Sequence, residues 1–203
     1  MYPKLQNTRA LRILDAAKDE FSRRGFDGAR IEAIARRARA NKQLVFYYYH
    51  SKRGLFHAVL TQAARELEAA LPAPSAGRAA DPPLSRLRSS LDALFDCLAR
   101  HPGLVALVAR AGRSDVRPLA PALNRLVVLL AEGQGLGHIR DDVDPHIAAA
   151  QALVLMVAYL ALEPVIAATA APLGDELTLY ARWKEAAARL VVDGLAARPG
   201  QGP

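Results

Sequence analysis

The sequence predicts an all-α protein of about nine helices, and three observations lead to that prediction. Apolar residues recur at spacings of three and four over most of the 203 residues. Prolines stand directly before several of these periodic segments and glycines follow others, as is usual at helix ends. No stretch with the two-residue period of a strand has a partner stretch. With 52% hydrophobic residues the chain can bury a core, and its single cysteine, Cys97, excludes an internal disulfide.

Four helices are predicted in the first 71 residues. Side chains that can cap a helix N-terminus precede three of them, at Asn7 or Thr8, at Asn41 and at Ser51. The first helix is predicted to end before Gly25 and the fourth to run through Leu71. Between them, a short second helix places four apolar side chains on one face: Ile31, Ile34, Ala35 and Ala38. Residues 45–49 (VFYYY) are strong β-formers, but the run is short and has no partner, so we predict a helix there as well.

Five more helices are predicted after a proline-rich loop at residues 71–83. Three of them have a proline in the first position: Pro83, Pro102 and Pro145. The others are predicted from Arg117 to Glu132, ending in the turn 133–137 (GQGLG), and from Asp175 to Ala197.

Two patterns resemble ligand sites but are better explained as helix ends. The glycine-rich residues 133–137 follow no strand and precede no GK[ST], so they are predicted to form a turn rather than a phosphate loop. A metal site could be drawn from His138, Asp141, Asp142, Asp144 and His146. Asp144 followed by Pro145 is better explained as a cap and a first helical residue. We predict no metal, no cofactor and no catalytic residue, because no HExxH motif or nucleophile elbow is present either.

The positive charge is concentrated at the N-terminus. Residues 1–53 contain 13 Lys and Arg against five Asp and Glu, whereas residues 54–203 contain 14 against 15. The formal net charge of +7 therefore arises from the first quarter of the chain, which indicates a polyanionic partner. From charge alone, a solvated basic helix face and a membrane-surface helix remain alternatives.

The spacing of residues 9–60 is that of a helix-turn-helix: a helix, a short helix, a three-residue turn and a second short helix. The second short helix, about Lys42–Tyr48, would enter the major groove of DNA. Its apolar positions Val45 and Tyr49 would face the other helices. The outward positions would be Lys42, Gln43, Leu44, Tyr47 and Tyr48.

These residues resemble the N-terminal domain of the TetR family of bacterial transcriptional repressors. The matching features are RILDAA followed by a phenylalanine and a glycine-phenylalanine pair, an IxxIAxxA second helix, and SKxxLF after the third helix. Residues 132–150 also resemble the joint before the last helices of the family's C-terminal domain. The resemblance implies a DNA-binding domain in residues 1–53 and a regulatory and dimerisation domain in residues 54–203, linked by the helix 51–71.

The resemblance also implies roles on DNA. Base edges would be read by Lys42, Gln43 and Leu44. Phosphates would be bound by Arg30, Tyr47, Tyr48, Lys52 and Arg53. The chain departs from the family pattern at three positions, Ala29, Arg39 and Arg53, where a hydroxyl residue, a glycine and an acidic residue are usual. A positive φ at Arg39 would cost about 1 kcal/mol, so the turn is a point where this chain could differ.

For the C-terminal part, the resemblance implies a homodimer through residues 146–197 and a small-molecule effector, which we expect to be lipophilic. Residues 147–162 are uncharged and apolar on all sides, but shorter than the roughly 20 residues of a membrane span, so we expect no membrane partner. The charged stripe of the last helix is expected to face water. Candidate pocket residues are Phe95, His101, Arg110, Met156, Tyr159 and Glu163, although each is more simply explained as ordinary core or surface.

The predicted function is a ligand-responsive repressor that binds an inverted-repeat operator as a homodimer. A cytoplasmic location is expected, because the first residues lack the apolar segment of a secretory signal. The alternative is a helical ligand-binding or scaffold protein that has lost operator binding, which Ala29 and Arg39 favour. An enzyme is a more distant third.

Overall fold

The computed structural model describes residues 3–71, 81–109, 117–169 and 175–197, and the regular structure in these ranges is helical, which confirms the all-α prediction. The α-helices are α1 (Pro3–Gly28), α2 (Ile31–Arg37), α3 (Lys42–Tyr49), α4 (Lys52–Ala70), α5 (Pro83–Arg100), α6 (Pro102–Ala109), α7 (Ala120–Gly135), α8 (Pro145–Thr169) and α9 (Glu176–Leu195). A 3₁₀ turn, Arg117–Leu119, precedes α7. The predicted loop residues 72–80 lie outside the described residues.

Contacts divide the chain into two compact units. The N-terminal unit comprises residues 1–65 and 101–120, and the C-terminal unit comprises residues 66–100 and 121–203. Helix α4 therefore begins in the N-terminal unit, and its last residues belong to the C-terminal unit. The functional boundary after residue 53 stays a prediction.

Local side-chain caps begin the helices where the sequence predicts them. Oxygens of four capping side chains accept backbone amides at 2.7–2.9 Å: Leu44 on Asn41, Gly54 on Ser51, His146 on Asp144 and Thr178 on Asp175. Each cap satisfies an amide that has no partner within its own helix. Prolines are the first residues of α5, α6 and α8, as predicted.

Several helix ends differ from the prediction. Helix α7 continues to Gly135, so residues 133–135 are helical and only residues 136–137 of the predicted glycine-rich turn form a turn. Helix α1 begins at Pro3 rather than at residue 7 or 8, because proline fits a first helical turn. Gly25 has φ 67°, so α1 kinks there as its glycine predicts, but one further turn continues to Gly28. Helix α8, predicted to span about 146–166, begins at Pro145 and reaches Thr169, passing through Pro164. Pro164 is exposed, and its missing N–H removes one bond of the helical ladder, to the carbonyl of Leu160.

Each unit has its own aromatic core. In the N-terminal unit, the Phe56 ring lies 5.0 Å from Phe21 and 5.1 Å from Phe26 between ring centroids. In the C-terminal unit, α5 packs on α8 and α9, and Phe95 lies 5.7 Å from Tyr159. Cys97 is buried in this second core, with Sγ 3.8 Å from the carbonyl oxygen of Glu66.

Candidate nucleic-acid interface

Helix α3 is held on the N-terminal unit through one face. Val45 is 1% exposed and packs inward, as predicted. The hydroxyl of Tyr49 donates to the carbonyl oxygen of Ala10 at 2.8 Å, which joins α3 to α1. Burial raises the pKa of Tyr49, so this hydroxyl keeps its proton at neutral pH. These contacts fix the orientation of α3 on the N-terminal unit, and the opposite face of the helix is open to solvent.

In the turn between α2 and α3, a residue other than glycine adopts the left-handed backbone conformation. Arg39 has φ 51°, and the next amide, of Ala40, donates to the carbonyl of Ala35 at 2.9 Å. The left-handed conformation of Arg39 therefore costs about 1 kcal/mol, and the turn has the positive φ that the usual glycine would adopt. Ala29, another departure from the family pattern, is 4% exposed and fills a small site before α2.

The backbone at the start of α4 lies close against the backbone at the end of α3. His50 has φ 64° and ends α3. A Cβ atom on Gly54 would lie 2.2 Å from the carbonyl oxygen of Tyr49, a distance that no real side chain tolerates. Glycine is therefore required in the first turn of α4, and it brings the start of α4 against the end of α3.

The predicted DNA-contacting side chains lie mostly on the surface of the N-terminal unit. Lys42 and Gln43 are exposed and Leu44 is half-buried. Tyr47 is 66% exposed, whereas Tyr48 is half-buried. Arg30 and Arg53 are exposed and Lys52 is half-buried. The structure thus leaves these groups where a duplex could reach them, and their individual roles remain predictions.

Lys42 has partners that sequence reasoning missed. Its Nζ donates to Glu32 Oε1 at 2.6 Å, and it lies 5.9 Å from the centre of the Phe46 ring. The hydrogen bond from Lys42 lowers the pKa of Glu32. A carboxylate thus lies beside the start of the predicted recognition helix, where it competes with DNA for this cation. No sequence signal pairs these positions, because the pairing depends on how α2 packs against α3.

Lys52 also has a structural task. Its Nζ donates to the carbonyl oxygen of Asp27 at 3.1 Å and lies 4.9 Å from the centre of the Phe26 ring. These contacts join the start of α4 to the end of α1. If Lys52 binds a phosphate, its side chain is already held in place by these two contacts.

The candidate pocket residues are not all together. Phe95, Met156 and Tyr159 are buried in the core of the C-terminal unit, at 1–4% exposure. Glu163 is half-buried on α8. His101 belongs to the N-terminal unit, and Arg110 lies outside the described residues.

A small cavity touches this group. Its volume is about 10 Å³, and its lining includes Leu91, Phe95, Met156 and Val191. That is room for about one water molecule, so a larger ligand could enter only if the helices moved apart.

A polar cluster on the same core was not predicted from the sequence. Asp96 Oδ1 accepts from the Tyr180 hydroxyl at 2.9 Å and from Lys184 Nζ at 2.6 Å. Burial opposes the charge on Asp96, but these two hydrogen bonds outweigh it and lower the pKa of this carboxyl. Burial and the bond to Asp96 raise the pKa of Tyr180. The cluster connects α5 to α9.

Within the described ranges, no group of three or more His, Cys, Asp or Glu side chains could hold a metal ion. Asp144 instead accepts the backbone amides of His146 and Ile147, and the bond from His146 is the main reason that its pKa is lowered. The explanation of this residue as a helix cap is thus confirmed.

A helix-turn-helix whose second short helix exposes Lys42, Gln43 and Tyr47 is typical of a DNA-binding module. Residues 13–59 match the family model described as bacterial regulatory proteins, tetR family. The transcriptional repressor SCO4008 of Streptomyces coelicolor is 35% identical over 139 residues, which cover 65% of this chain and 68% of that protein. The repressor NicS of Pseudomonas putida is 34% identical over 148 residues, covering 64% and 66%.

The likeness extends to structure. The regulator SCO4942 of Streptomyces coelicolor superposes with a TM-score of 0.71 at 27% identity, over 91% of this chain and 97% of that one. The chain belongs to the TetR family of bacterial regulatory proteins. It is therefore a DNA-binding regulator of transcription, as the sequence motifs predict.

Proposed function

We propose that this TetR-family protein is a cytoplasmic repressor that binds an inverted-repeat operator as a homodimer and is released by a small lipophilic effector. The observation that carries the proposal is the outer face of α3. Capping by Asn41 and the bond from Tyr49 to α1 fix this helix, and Lys42, Gln43 and Tyr47 lie exposed on it. Such a preorganised polar face suits the major groove.

Base reading and phosphate binding would be divided between two sets of side chains. Lys42 and Gln43 can donate to guanine and adenine edges, and Leu44 can contact a thymine methyl group. Phosphates would be bound by Arg30, Tyr47, Tyr48, Lys52 and Arg53. Phosphate contacts position the protein on any sequence, whereas base contacts select one.

The test is a binding-site selection on random DNA followed by titrations of variants. An inverted repeat is expected, with half-sites about one helical turn apart or a multiple of it. Gln43→Ala should relax the preference at one or two base pairs, at a cost of about 1–3 kcal/mol. Lys52→Ala or Tyr48→Phe should weaken binding to all sequences, and the lysine change should reduce the salt slope by about one phosphate.

Asn124→Ala, at an exposed amide of the C-terminal unit, is the control and should change neither property. Equal weakening by Gln43→Ala on every sequence would contradict the assignment of α3 as the recognition helix. Failure to select any site would favour the scaffold alternative.

The homodimer is supported by α8. Its inner face is buried, whereas its outer face exposes large aliphatic side chains to 52–65%: Ile147, Val154, Leu162 and Val165. A soluble monomer rarely leaves such a stripe in water. Because the helix continues past residue 162 to Thr169, it is, contrary to the expectation from its apolar segment alone, long and apolar enough to cross a bilayer. Its neighbour α9 has a charged outer face that a bilayer would not accept, so a second copy is the better occupant.

Light scattering in detergent-free buffer tests this interface. The protein is expected to be a dimer at micromolar concentration, and Val154→Arg should shift it towards monomer. Val128→Arg, at a valine of α7 that is also more than half exposed, should not. A monomeric wild-type protein, or partition into phosphatidylcholine vesicles, would overturn the proposal.

Release by an effector is supported by the end of α4. In the C-terminal unit, the Arg125 guanidinium donates to the carbonyl of Glu68, and Cys97 approaches that of Glu66. Helix α4 begins at Lys52, beside α3, so a ligand that opens the apolar core of the C-terminal unit can displace a helix that also supports the DNA-binding face. A tenfold loss of operator affinity requires about 1.4 kcal/mol of such coupling.

A thermal-shift screen of apolar and polar small molecules tests the release. Apolar hits are expected to release operator DNA, and operator should weaken their binding by the same factor. Arg125→Ala should reduce this coupling while both ligands still bind. The control Arg86→Ala removes an ion pair with Glu132 elsewhere in the same unit. Hits that bind without releasing DNA would contradict the proposed effector response.

A further inference from the structure

The start of α3 holds a hydrogen-bond donor beside an acceptor. Lys42 is the first residue of α3, and Glu32 lies in the first turn of α2. The Lys42 Nζ and the Glu32 Oε1 are 2.6 Å apart, although the two residues are ten positions apart in the chain. Their side chains are 55% and 65% exposed, so both groups are accessible to a partner outside the protein.

This pair differs in net charge from the other candidate DNA contacts. Arg30 and Arg53 are exposed cations, which suit phosphates. Lys42 and Glu32 together carry no net charge, because the hydrogen bond from Lys42 lowers the pKa of Glu32 and keeps it ionised. A phosphate repels the carboxylate about as strongly as it attracts the ammonium. The pair therefore suits a partner that itself presents an acceptor beside a donor.

A G·C base pair presents such an edge in the major groove. Guanine exposes the acceptors N7 and O6, and cytosine exposes the amino donor N4. The O6 and N4 atoms are about 2.9 Å apart, because they are hydrogen-bonded to each other. Lys42 Nζ and Glu32 Oε1 have a similar spacing and the opposite order of donor and acceptor. A base-pair edge that lies against Nζ is therefore also within reach of Oε1.

We propose that Lys42 and Glu32 together read one G·C base pair, with Lys42 donating to guanine and Glu32 accepting from the cytosine amino group. The proposal rests on the operator binding proposed above and adds Glu32 to the residues that read bases. Each side chain exchanges its partner on the protein for a partner on the base pair, so neither charge is left without a partner beside the phosphates. On other sequences the two side chains stay paired, and Glu32 opposes binding.

The arrangement predicts an order of preference among the four base pairs. G·C ranks first. T·A ranks next, because thymine O4 can accept from Lys42 and adenine N6 can donate to Glu32. C·G ranks last, because Lys42 would face the cytosine amino group and Glu32 would face the guanine acceptors. A lysine that reads guanine without Glu32 gains nothing from the pyrimidine of the pair.

The experiment begins with binding-site selection on random DNA by the wild-type protein, Lys42→Ala and Glu32→Ala. Both substitutions should relax the preference at the same base pair. In titrations with duplexes that differ only there, Glu32→Ala should lower the preference for G·C over C·G about tenfold. Affinity for random DNA does not decide the question, because loss of a carboxylate raises it whichever role Glu32 has.

Two modified bases test the individual contacts. N4-methylcytosine keeps the base pair but places a methyl group where the amino hydrogen faces the major groove. It should weaken binding by the wild-type protein about tenfold and leave binding by Glu32→Ala unchanged. The base 7-deazaguanine lacks the N7 acceptor, and it should weaken binding by the wild-type protein but not by Lys42→Ala.

Asp19→Ala is the matched control for lost charge. Asp19 is an exposed carboxylate of the same unit and forms an ion pair with Arg37 at 2.8 Å. This substitution should leave every base preference and the response to both modified bases unchanged. Circular dichroism confirms that each variant is folded.

The outcomes separate this proposal from the proposed function. If the wild-type protein selects no site, operator binding is refuted and this proposal with it. If a site is selected but Glu32→Ala sharpens the preference for guanine, operator binding stands and Glu32 is only a competitor for Lys42. Relaxation of different base pairs by the two substitutions, or a wild-type protein that tolerates N4-methylcytosine, also refutes joint reading.

Discussion

Tyr47 of the N-terminal unit and Tyr159 of the C-terminal unit differ sharply in their exposure to solvent. In the N-terminal unit, Tyr47 is 66% exposed. It lies on α3, which is held in place by the Asn41 cap and by the hydrogen bond from Tyr49 to α1. In the C-terminal unit, Tyr159 is 1% exposed, and the outer surface of α8 is aliphatic instead. Exposed polar and aromatic groups on a fixed backbone suit a polyanion, whereas an exposed aliphatic stripe suits another protein surface. Tyrosine thus lies on the surface of one unit, where we propose a DNA contact, and in the packed core of the other.

The largest expected effect contrasts these aromatic residues directly. Phe95→Ala should destabilise the C-terminal unit by about 3–5 kcal/mol, because it empties a site between Tyr159 and Tyr180. Tyr47→Ala should change stability by no more than about 0.5 kcal/mol but weaken DNA binding. Urea unfolding and operator titration of both variants provide the measurement. A large stability loss in Tyr47→Ala would erase the contrast.

The next largest effect is expected where the start of α4 packs against the end of α3. Gly54→Ala places a Cβ against the carbonyl oxygen of Tyr49, so we expect a loss of about 3 kcal/mol and of operator binding. Gly135→Ala is the matched control, because a Cβ there meets no atom within 4 Å. It should be neutral or stabilising by up to about 1 kcal/mol. Thermal melts compare the two variants. Equal midpoints would mean that the backbone at Tyr49 and Gly54 can move apart without cost.

A smaller effect concerns the polar cluster of the C-terminal unit. The pKa of Asp96 is lowered in the folded protein, so its charge stabilises the fold above the unfolded pKa, near 4, and that contribution is lost as the pH falls through this range. Asp96→Asn should cost about 1 kcal/mol at pH 7, since the group is partly exposed. It should also flatten the stability profile below pH 5, as measured by urea unfolding at a series of pH values. If the variant loses as much stability below pH 5 as the wild-type protein does, other carboxylates cause that loss.

The smallest expected effect tests the carboxylate beside the recognition helix. Glu32→Gln should leave the melting temperature unchanged, because the Glu32–Lys42 pair is exposed. It should raise affinity for random DNA, because the carboxylate that pairs with Lys42 and repels the polyanion is then neutral. Glu68→Gln, on the part of α4 that belongs to the C-terminal unit, is the control. Unchanged binding to random DNA would mean that Glu32 does not compete for this lysine.

The parts of the fold that depend on local chemistry could be predicted from the sequence. Asn41 and Ser51 cap helices, and Pro145 begins one, because each acts within four residues of itself. The TetR resemblance likewise rests on a short, contiguous pattern. Helix α8 passes Pro164 because propensity at that position is overridden by the rest of the helix.

The contacts between helices could not be predicted. The pairing of Glu32 with Lys42 and of Asp96 with Lys184 depends on packing angles that no spacing encodes. For the same reason the candidates Phe95, Met156 and Tyr159 could not be assigned to a pocket rather than a core. Their burial is now known, but which of them a ligand would touch depends on how the core opens.

The burial of Cys97 has a practical consequence. It is the only thiol among the 203 residues, and it is 3% exposed in the core of the C-terminal unit, so a thiol reagent can react only when α5 opens locally. The labelling rate therefore measures the free energy of that opening in the unmodified protein. Any compound that occupies the core without wedging it open would slow the reaction, which turns one native atom into a kinetic reporter of occupancy.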